Sequence, residues 1–253
     1  MNRREIYGKL ATWIILLGVV GVFQNGFAAD WGYTGNMGPH DWGSAGYSVC
    51  STGQKQSPIN ITHPVLSSKN TIAFYYQLSE FNLDLNPHNL YGYSQDKNAN
   101  YLEFNGKRYQ LQSLHFHTPA EHEVNGKHYA MELHLVHQNN EGETLAVGIF
   151  IKKGLVNATL QKIFVTPLLD KKRNELGSIK INPAKLLPPR GKYFVYSGSL
   201  TTPPCQEDVT WVLLKNPVAV SAEQIQFFKK HVIRDNSRPL QAINKRIVSE
   251  EGL

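Results

Sequence analysis

The sequence predicts a mainly β (α+β) fold in a single domain. Three observations predict it: short runs of β-branched and aromatic residues recur between turn signals, two Asn-Gly pairs fall between such runs, and helical patterns are few. The runs include residues 71–76, 101–104, 108–117, 129–137, 146–151 and 209–214. Asn105-Gly106 and Asn125-Gly126 supply the positive φ angles that two-residue hairpins need, so the middle of the chain reads as an antiparallel meander. Two short helices are expected, over 157–164 and 221–231, the second with Ser221 as N-cap and Gln224 completing a capping box. Between Asp30 and about Ile61 the chain is rich in Gly, Pro and Trp, which reads as an irregular segment wrapped over the sheet with Trp31, Tyr33 and Trp42 packed on the core. No internal repeat is visible.

The chain has 253 residues, 41% hydrophobic and 18% charged, without a long low-complexity stretch, so one large domain can bury its own core. Its first residues depart from that average. Arg3, Arg4 and Lys9 precede an apolar run over 10–23, and Gly26, Ala28 and Ala29 follow, which is the pattern of a secretory signal peptide. The run is shorter than the roughly 20 residues of a membrane-spanning helix, so cleavage after Ala28 or Ala29 is expected, leaving 30–253 as a single mature domain without stable membrane association. Losing Arg3, Arg4 and Lys9 together with Glu5 lowers the formal charge from +6 to +4. That surface is too dilute in charge to point to nucleic acid.

Cys50 and Cys205 are the two cysteines, and in an exported chain a single disulfide is the first expectation, against two free buried thiols. They match no zinc-knuckle spacing, so a metal would have to be held by histidine. Strand alternation places Ser113, His115 and His117 on one face and Gln112, Leu114 and Phe116 on the other. In 129–137 it groups Glu132, His134 and Val136 against Met131, Leu133 and Leu135. Three neutral imidazoles with one position left open are what a catalytic zinc requires, because a fourth protein ligand would leave no place for water. Alone, His-x-His on a strand is as compatible with packed or surface histidines. His40, His63, His128, His137 and His231 are expected to be ordinary.

The longer pattern raises that reading. His115-Phe116-His117-Thr118-Pro119-Ala120-Glu121-His122 and Ala130-Met131-Glu132-Leu133-His134-Leu135-Val136-His137 closely resemble the α-class carbonic anhydrases, the bacterial exported members above all. So do Trp31-Gly32-Tyr33, Gln56-Ser57-Pro58-Ile59-Asn60, Gly198-Ser199-Leu200-Thr201-Thr202-Pro203-Pro204 and Asp235-Asn236-Ser237-Arg238-Pro239, in the family's order. The resemblance spans about Asp30 to Arg246. It implies a large twisted, mostly antiparallel central sheet with a few short peripheral helices, and zinc in a conical cleft. It assigns His115, His117 and His134 as ligands and Glu132 as the carboxylate that orients an imidazole. The reaction it implies is reversible hydration of carbon dioxide to bicarbonate, with a zinc-activated hydroxide oriented by Thr201 and Glu121.

The same resemblance assigns the carbon dioxide pocket to Val136, Val147, Leu200 and Trp211, with Thr201 and Thr202 also contacting substrate. His88, in Asn86-Pro87-His88-Asn89, resembles the family's proton-shuttle histidine, although Pro87 stands where Gly is usual. Cys205 would pair with Cys50 as in bacterial and extracellular members, pinning the catalytic loop. Anions and sulfonamides are the implied inhibitors, a homodimer is compatible with bacterial relatives, and the implied location is periplasmic or secreted. Two departures stand out from the best-known animal members. Ser113 replaces a Gln that supports one zinc ligand, leaving open what orients His115, and Thr118 with Pro119 replaces a Trp in the manner of bacterial members. No His-Glu-x-x-His peptidase motif is present.

Overall fold

The computed structural model describes residues 30–96, 98–169, 177–232 and 234–252. The expected signal peptide over 1–29 lies outside them. In chain order the strands are β1 (Asn60–Ile61), β2 (Val65–Leu66), β3 (Ile72–Tyr76), β4 (Ser79–Leu85), β5 (Leu90–Ser94), β6 (Asn100–Phe104) and β7 (Lys107–His117). They continue as β8 (Glu123–Val124), β9 (Met131–Gln138), β10 (Thr144–Lys153), β11 (Ser178–Ile181), β12 (Lys192–Ser199), β13 (Glu207–Val220) and β14 (Ser249–Gly252). The α-helices are α1 (Val49–Thr52), α2 (Ala158–Leu169) and α3 (Ala222–His231). Among the described residues no helix is long and apolar enough to cross a membrane.

Twelve of these strands join one sheet in the order β11-β4-β5-β7-β9-β10-β13-β12-β14-β2, with β6 also paired to β7 and β3 added outside β6. Pairing is antiparallel except for β10–β13 and β14–β2, which makes the sheet mixed but mostly antiparallel, as expected. Asn105 and Gly106 both have positive φ, 52° and 78°, and form the tight turn between β6 and β7. Asn125 and Gly126 have the same geometry, but their turn closes only a single Val124–Lys127 bridge next to β8. It does not join β7 directly to β9, because β8 leaves the main sheet and pairs in parallel with β1. The chain between β7 and β9 is instead a long connection that holds Glu121 and His122.

Strand β7 changes partner and face part-way along. Lys107–Gln110 pairs with β6, whereas Ser113–His115 pairs with β5, and against β9 the register shifts between Leu111 and Ser113. Gln112 is the inserted residue of this bulge. Tyr109 and Leu111 point into the main core, and strict alternation would send His115 and His117 the same way; the extra residue sends Leu114 and Phe116 there instead. The two histidines are thereby delivered to the opposite face. Behind the sheet, Phe116 meets Phe164 of α2 and Phe228 of α3 at ring separations of 5.2 and 5.6 Å. Helix α3 carries the expected capping box between Ser221 and Gln224. Helix α2, capped by the Asn157 carboxamide, runs past its expected end to Leu169.

The N-terminal segment packs as its aromatics suggest. Trp31, Tyr33 and Trp42 form an edge-to-face cluster, with Trp42 fully buried and its indole N–H donating to the Gly32 carbonyl at 2.9 Å. Cys50 and Cys205 lie in the same cluster and form a disulfide. Arg238 ties this segment down from the far end of the chain. Its guanidinium donates to the Cys50 and Ser57 carbonyls and to the Gln56 side chain, each at 2.8 Å.

Candidate metal centre

Two neighbouring strands supply the three histidines. His115 and His117 come from β7 and His134 from β9, with His115 directly opposite His134 across the antiparallel pair. One ring nitrogen of each lies within 4.8 Å of the others. The His134 Nδ1 to His115 Nε2 distance is 3.2 Å. Two imidazole nitrogens bound about 2.0–2.1 Å from one tetrahedral zinc would be separated by roughly 3.3 Å, so this spacing fits that metal. His117 and His134 are buried and His115 is partly exposed. Burial, reinforced by the neighbouring imidazoles, holds the pKa of His115 well below the usual histidine value and that of His117 down to about 3. Burial lowers His134 as well, against the pull of Glu132. All three are therefore neutral, with lone pairs free to bind.

The surrounding hydrogen bonds decide which nitrogen each ring presents. His117 Nδ1–H donates to the Asn236 carbonyl at 2.8 Å, and its Nε2 is buried without a partner. An orphaned buried lone pair costs free energy unless a ligand satisfies it, and a metal cation does so. His134 Nε2–H donates to Glu132 Oε1 at 2.9 Å, which turns Nδ1 toward the other two histidines. Glu132 is fully buried and its Oε2 also accepts the backbone N–H groups of Glu121 and His122. Burial acts to raise its pKa, but His122 and His134 outweigh that and hold it well below the usual carboxylate range.

The sequence motif gives His122 no role of its own, but the structure does. It donates from Nδ1 to Glu132 Oε1 at 2.8 Å, so Nε2 accepts from the Tyr196 hydroxyl at 2.6 Å, and Tyr196 in turn receives the Ser57 hydroxyl at 2.7 Å. This one-directional chain fixes Glu132 and through it His134. Gly148 faces His134 across β9 and β10, and a Cβ there would meet Leu213 at 2.2 Å and Glu132 Oε1 at 3.0 Å. Bare backbone is required for the carboxylate to sit where it does.

Thr201 and Glu121 meet beside the histidines. Glu121 is buried, and its Oε1 accepts the Arg238 backbone N–H at 2.9 Å and lies 3.4 Å from His117 Nδ1. Its Oε2 is enclosed with no partner at full hydrogen-bonding distance, the Thr201 hydroxyl being the side chain that acts on this carboxylate. Burial pushes the Glu121 pKa well up, while the Arg238 N–H and Thr201 oppose the rise.

A model of the eukaryotic-type carbonic anhydrase family matches residues 37–252. The chain belongs to that family. Carbonic anhydrase from Klebsiella pneumoniae is 36% identical over 226 residues, covering 88% of this chain and 92% of the relative. The carbonic anhydrase of Nostoc sp. is 37% identical, with 87% and 86% covered. The α-carbonic anhydrase of Thermovibrio ammonificans, solved with the inhibitor sulfanilamide, superposes with a TM-score of 0.79 at 38% identity over 87% of this chain and 99% of that one. Dioscorin complexed with ascorbate shares the fold at 27% identity, with a TM-score of 0.76 over 88% and 98% of the two chains. Carbonic anhydrases catalyse the reversible hydration of carbon dioxide, and this chain is an enzyme of that kind.

On the apolar side of the three histidines, one residue expected there, Val147, lies elsewhere. Val136, Ala146 and Trp211 stand in register across β9, β10 and β13, and Leu200 packs on the same cluster. Trp211 lies 4.8 Å from the His134 ring and donates its indole N–H to the Ser199 carbonyl. Val147 instead faces the main core behind the sheet, one residue out of phase, so Ala146 takes the place expected for it. Thr202 is half-buried and its carbonyl accepts the Cys205 backbone N–H at 2.9 Å. His88 stands in the β4–β5 hairpin, stacked on Trp31 at 3.9 Å, with its carbonyl held by the Asn236 carboxamide. Partial burial lowers its pKa from the usual histidine value, opposed by Asp30.

Proposed function

We propose that this chain hydrates carbon dioxide reversibly at one zinc ion held by His115 Nε2, His117 Nε2 and His134 Nδ1. The observation that carries the reading is the convergence of three neutral imidazoles on one point with the His117 lone pair otherwise orphaned. When bound, zinc supplies Lewis acidity that brings the pKa of water down to about 7; carbonic anhydrase is the standard instance of that value. The chain's own groups do the aiming. Glu121, when ionised, can only accept, so Thr201 donates its proton to it and offers an oxygen lone pair to the attacking water. Val136, Ala146, Leu200 and Trp211 form the apolar wall for a small, nearly apolar substrate, with Thr202 at its edge.

His88, partly buried in its hairpin, carries the released proton to solvent in this reading, since a titrating imidazole is the group suited to near-neutral exchange. Anions and sulfonamides would compete at the same place, on the likeness to the sulfanilamide complex. The disulfide fits an oxidising compartment, in keeping with residues 1–29 acting as an export signal and 30–253 as the mature periplasmic or secreted enzyme. Stopped-flow hydration measured on the purified chain, after chelation and after zinc is restored, tests this. Activity should vanish and return with the metal, and in weak buffer His88→Ala should be several-fold slower until imidazole is added. Zinc-replete protein without hydration activity rejects the reading.

A further inference from the structure

The three ligand histidines are not supported alike. His117 has the Asn236 carbonyl and His134 has Glu132, each on the nitrogen that faces away from the shared point. His115 has neither: its Nδ1 is buried with no hydrogen-bond partner. A metal-binding imidazole almost always donates that second N–H, because the bond fixes both the tautomer and the ring plane. Ser113 is the side chain two residues earlier on the same strand face, and it makes no bond to the ring.

What His115 does have is an aromatic wall. Tyr91 lies directly opposite it across the β5–β7 pair, and the two ring centroids are 5.2 Å apart. Tyr93, opposite Ser113, stacks on Tyr91 at 5.7 Å with the planes 10° from parallel. The alternation of β5 sets both rings on the site face by giving the intervening core position to Gly92, where a Cβ would already press on Leu114 at 3.1 Å. On the other side His115 meets the edges of His117 and His134 at 5.1 and 5.0 Å. Rotation of the imidazole about its χ2 angle is therefore limited by packed rings. That torsion is broad when nothing holds it.

We infer that Tyr91 is a positioning residue for the metal site, holding the His115 ring by aromatic packing where the other two ligands are held by hydrogen bonds. This rests on the three-histidine reading of the site. It predicts that the ring of Tyr91 matters and its hydroxyl does not. Loss of a supporting group beside a metal ligand typically costs 10–100-fold in metal affinity, and the same scale is expected here.

The test is the rate at which zinc leaves the protein to an excess of a chelator that reports its own metal binding. Wild type is measured first, and one tightly held zinc per chain in that sample establishes the site independently. Tyr91→Ala should then release zinc on the order of 10- to 100-fold faster than wild type, and Tyr91→Phe at close to the wild-type rate. Tyr91→Leu, which keeps the apolar bulk of the strand, serves if the Ala variant fails to fold, and it too should release zinc faster. Wild-type release rates in the Ala or Leu variant overturn the inference, as does a Phe variant as fast as either. A wild type that holds no zinc overturns the reading of the site instead.

Discussion

Thr201 and Glu121 show how much of the site depends on direction. If Thr201 orients the attacking water and binds no metal, Thr201→Ala should lower the hydration rate on the order of 10²-fold or more while leaving zinc content at one per chain. Parallel loss of zinc in that variant, read by elemental analysis, would contradict the role. The grouping of His115, His117 and His134 was legible because their types and order survive in local motifs. His122 was not, since a histidine in an irregular connection carries no periodic signal, and its bonds to Glu132 and Tyr196 join positions far apart in sequence. The Val147 assignment failed by one residue. Facing across a sheet is decided by register, and only the pairing of Val136 with Ala146, and of Ala146 with Trp211, shows which side chain shares the site's face.

At the scale of elements, the bulge in β7 determines whether His115 and His117 reach the face that His134 occupies. Period-2 reading placed His115 and His117 together correctly, but nothing in 107–117 announces that Tyr109 and Leu111 occupy the opposite phase from them. The inserted Gln112 reconciles the two halves. We expect deletion of Gln112 to abolish stoichiometric zinc binding, because removing the extra residue turns either the core residues or the histidines to the wrong face. Gln112→Ala keeps the residue count and should bind zinc as wild type does; equal zinc content in the deletion variant would refute this account of the bulge. Strand β4 gives only a weak signal in the sequence: Phe81 and Leu83 alternate with Glu80, Asn82 and Asp84, residue types that strands disfavour. β-branched runs announce a strand by composition, whereas β4 is held in the sheet by its pairing with β5 and β11.

For the molecule as a whole, the core face of the sheet contains a titrating group that links stability to pH. His137 was expected to be ordinary, and the structure buries it completely beside the Tyr76 hydroxyl, 2.7 Å from its Nε2. Burial lowers its pKa to about 3. The unfolded chain takes up a proton below about pH 6.5 that the folded chain refuses, so His137 costs no stability above that pH. Below it, stability falls by up to about 1.4 kcal/mol for each pH unit, until the folded pKa is reached. Thermal unfolding followed from pH 7 to pH 4 should therefore show a shallower acid decline in His137→Gln than in wild type, whatever the offset at pH 7. Parallel curves would show that His137 does not titrate in this way.

The fold, the polar network and the apolar wall all meet at the three imidazoles, and metal content is the quantity closest to that convergence. Zinc per chain should be determined by elemental analysis on wild type and on His134→Ala, after dialysis against trace zinc, with circular dichroism confirming that both are folded. We expect one zinc in wild type and well under a tenth of that in the variant. A folded His134→Ala protein that retains one zinc per chain would contradict the three-histidine site.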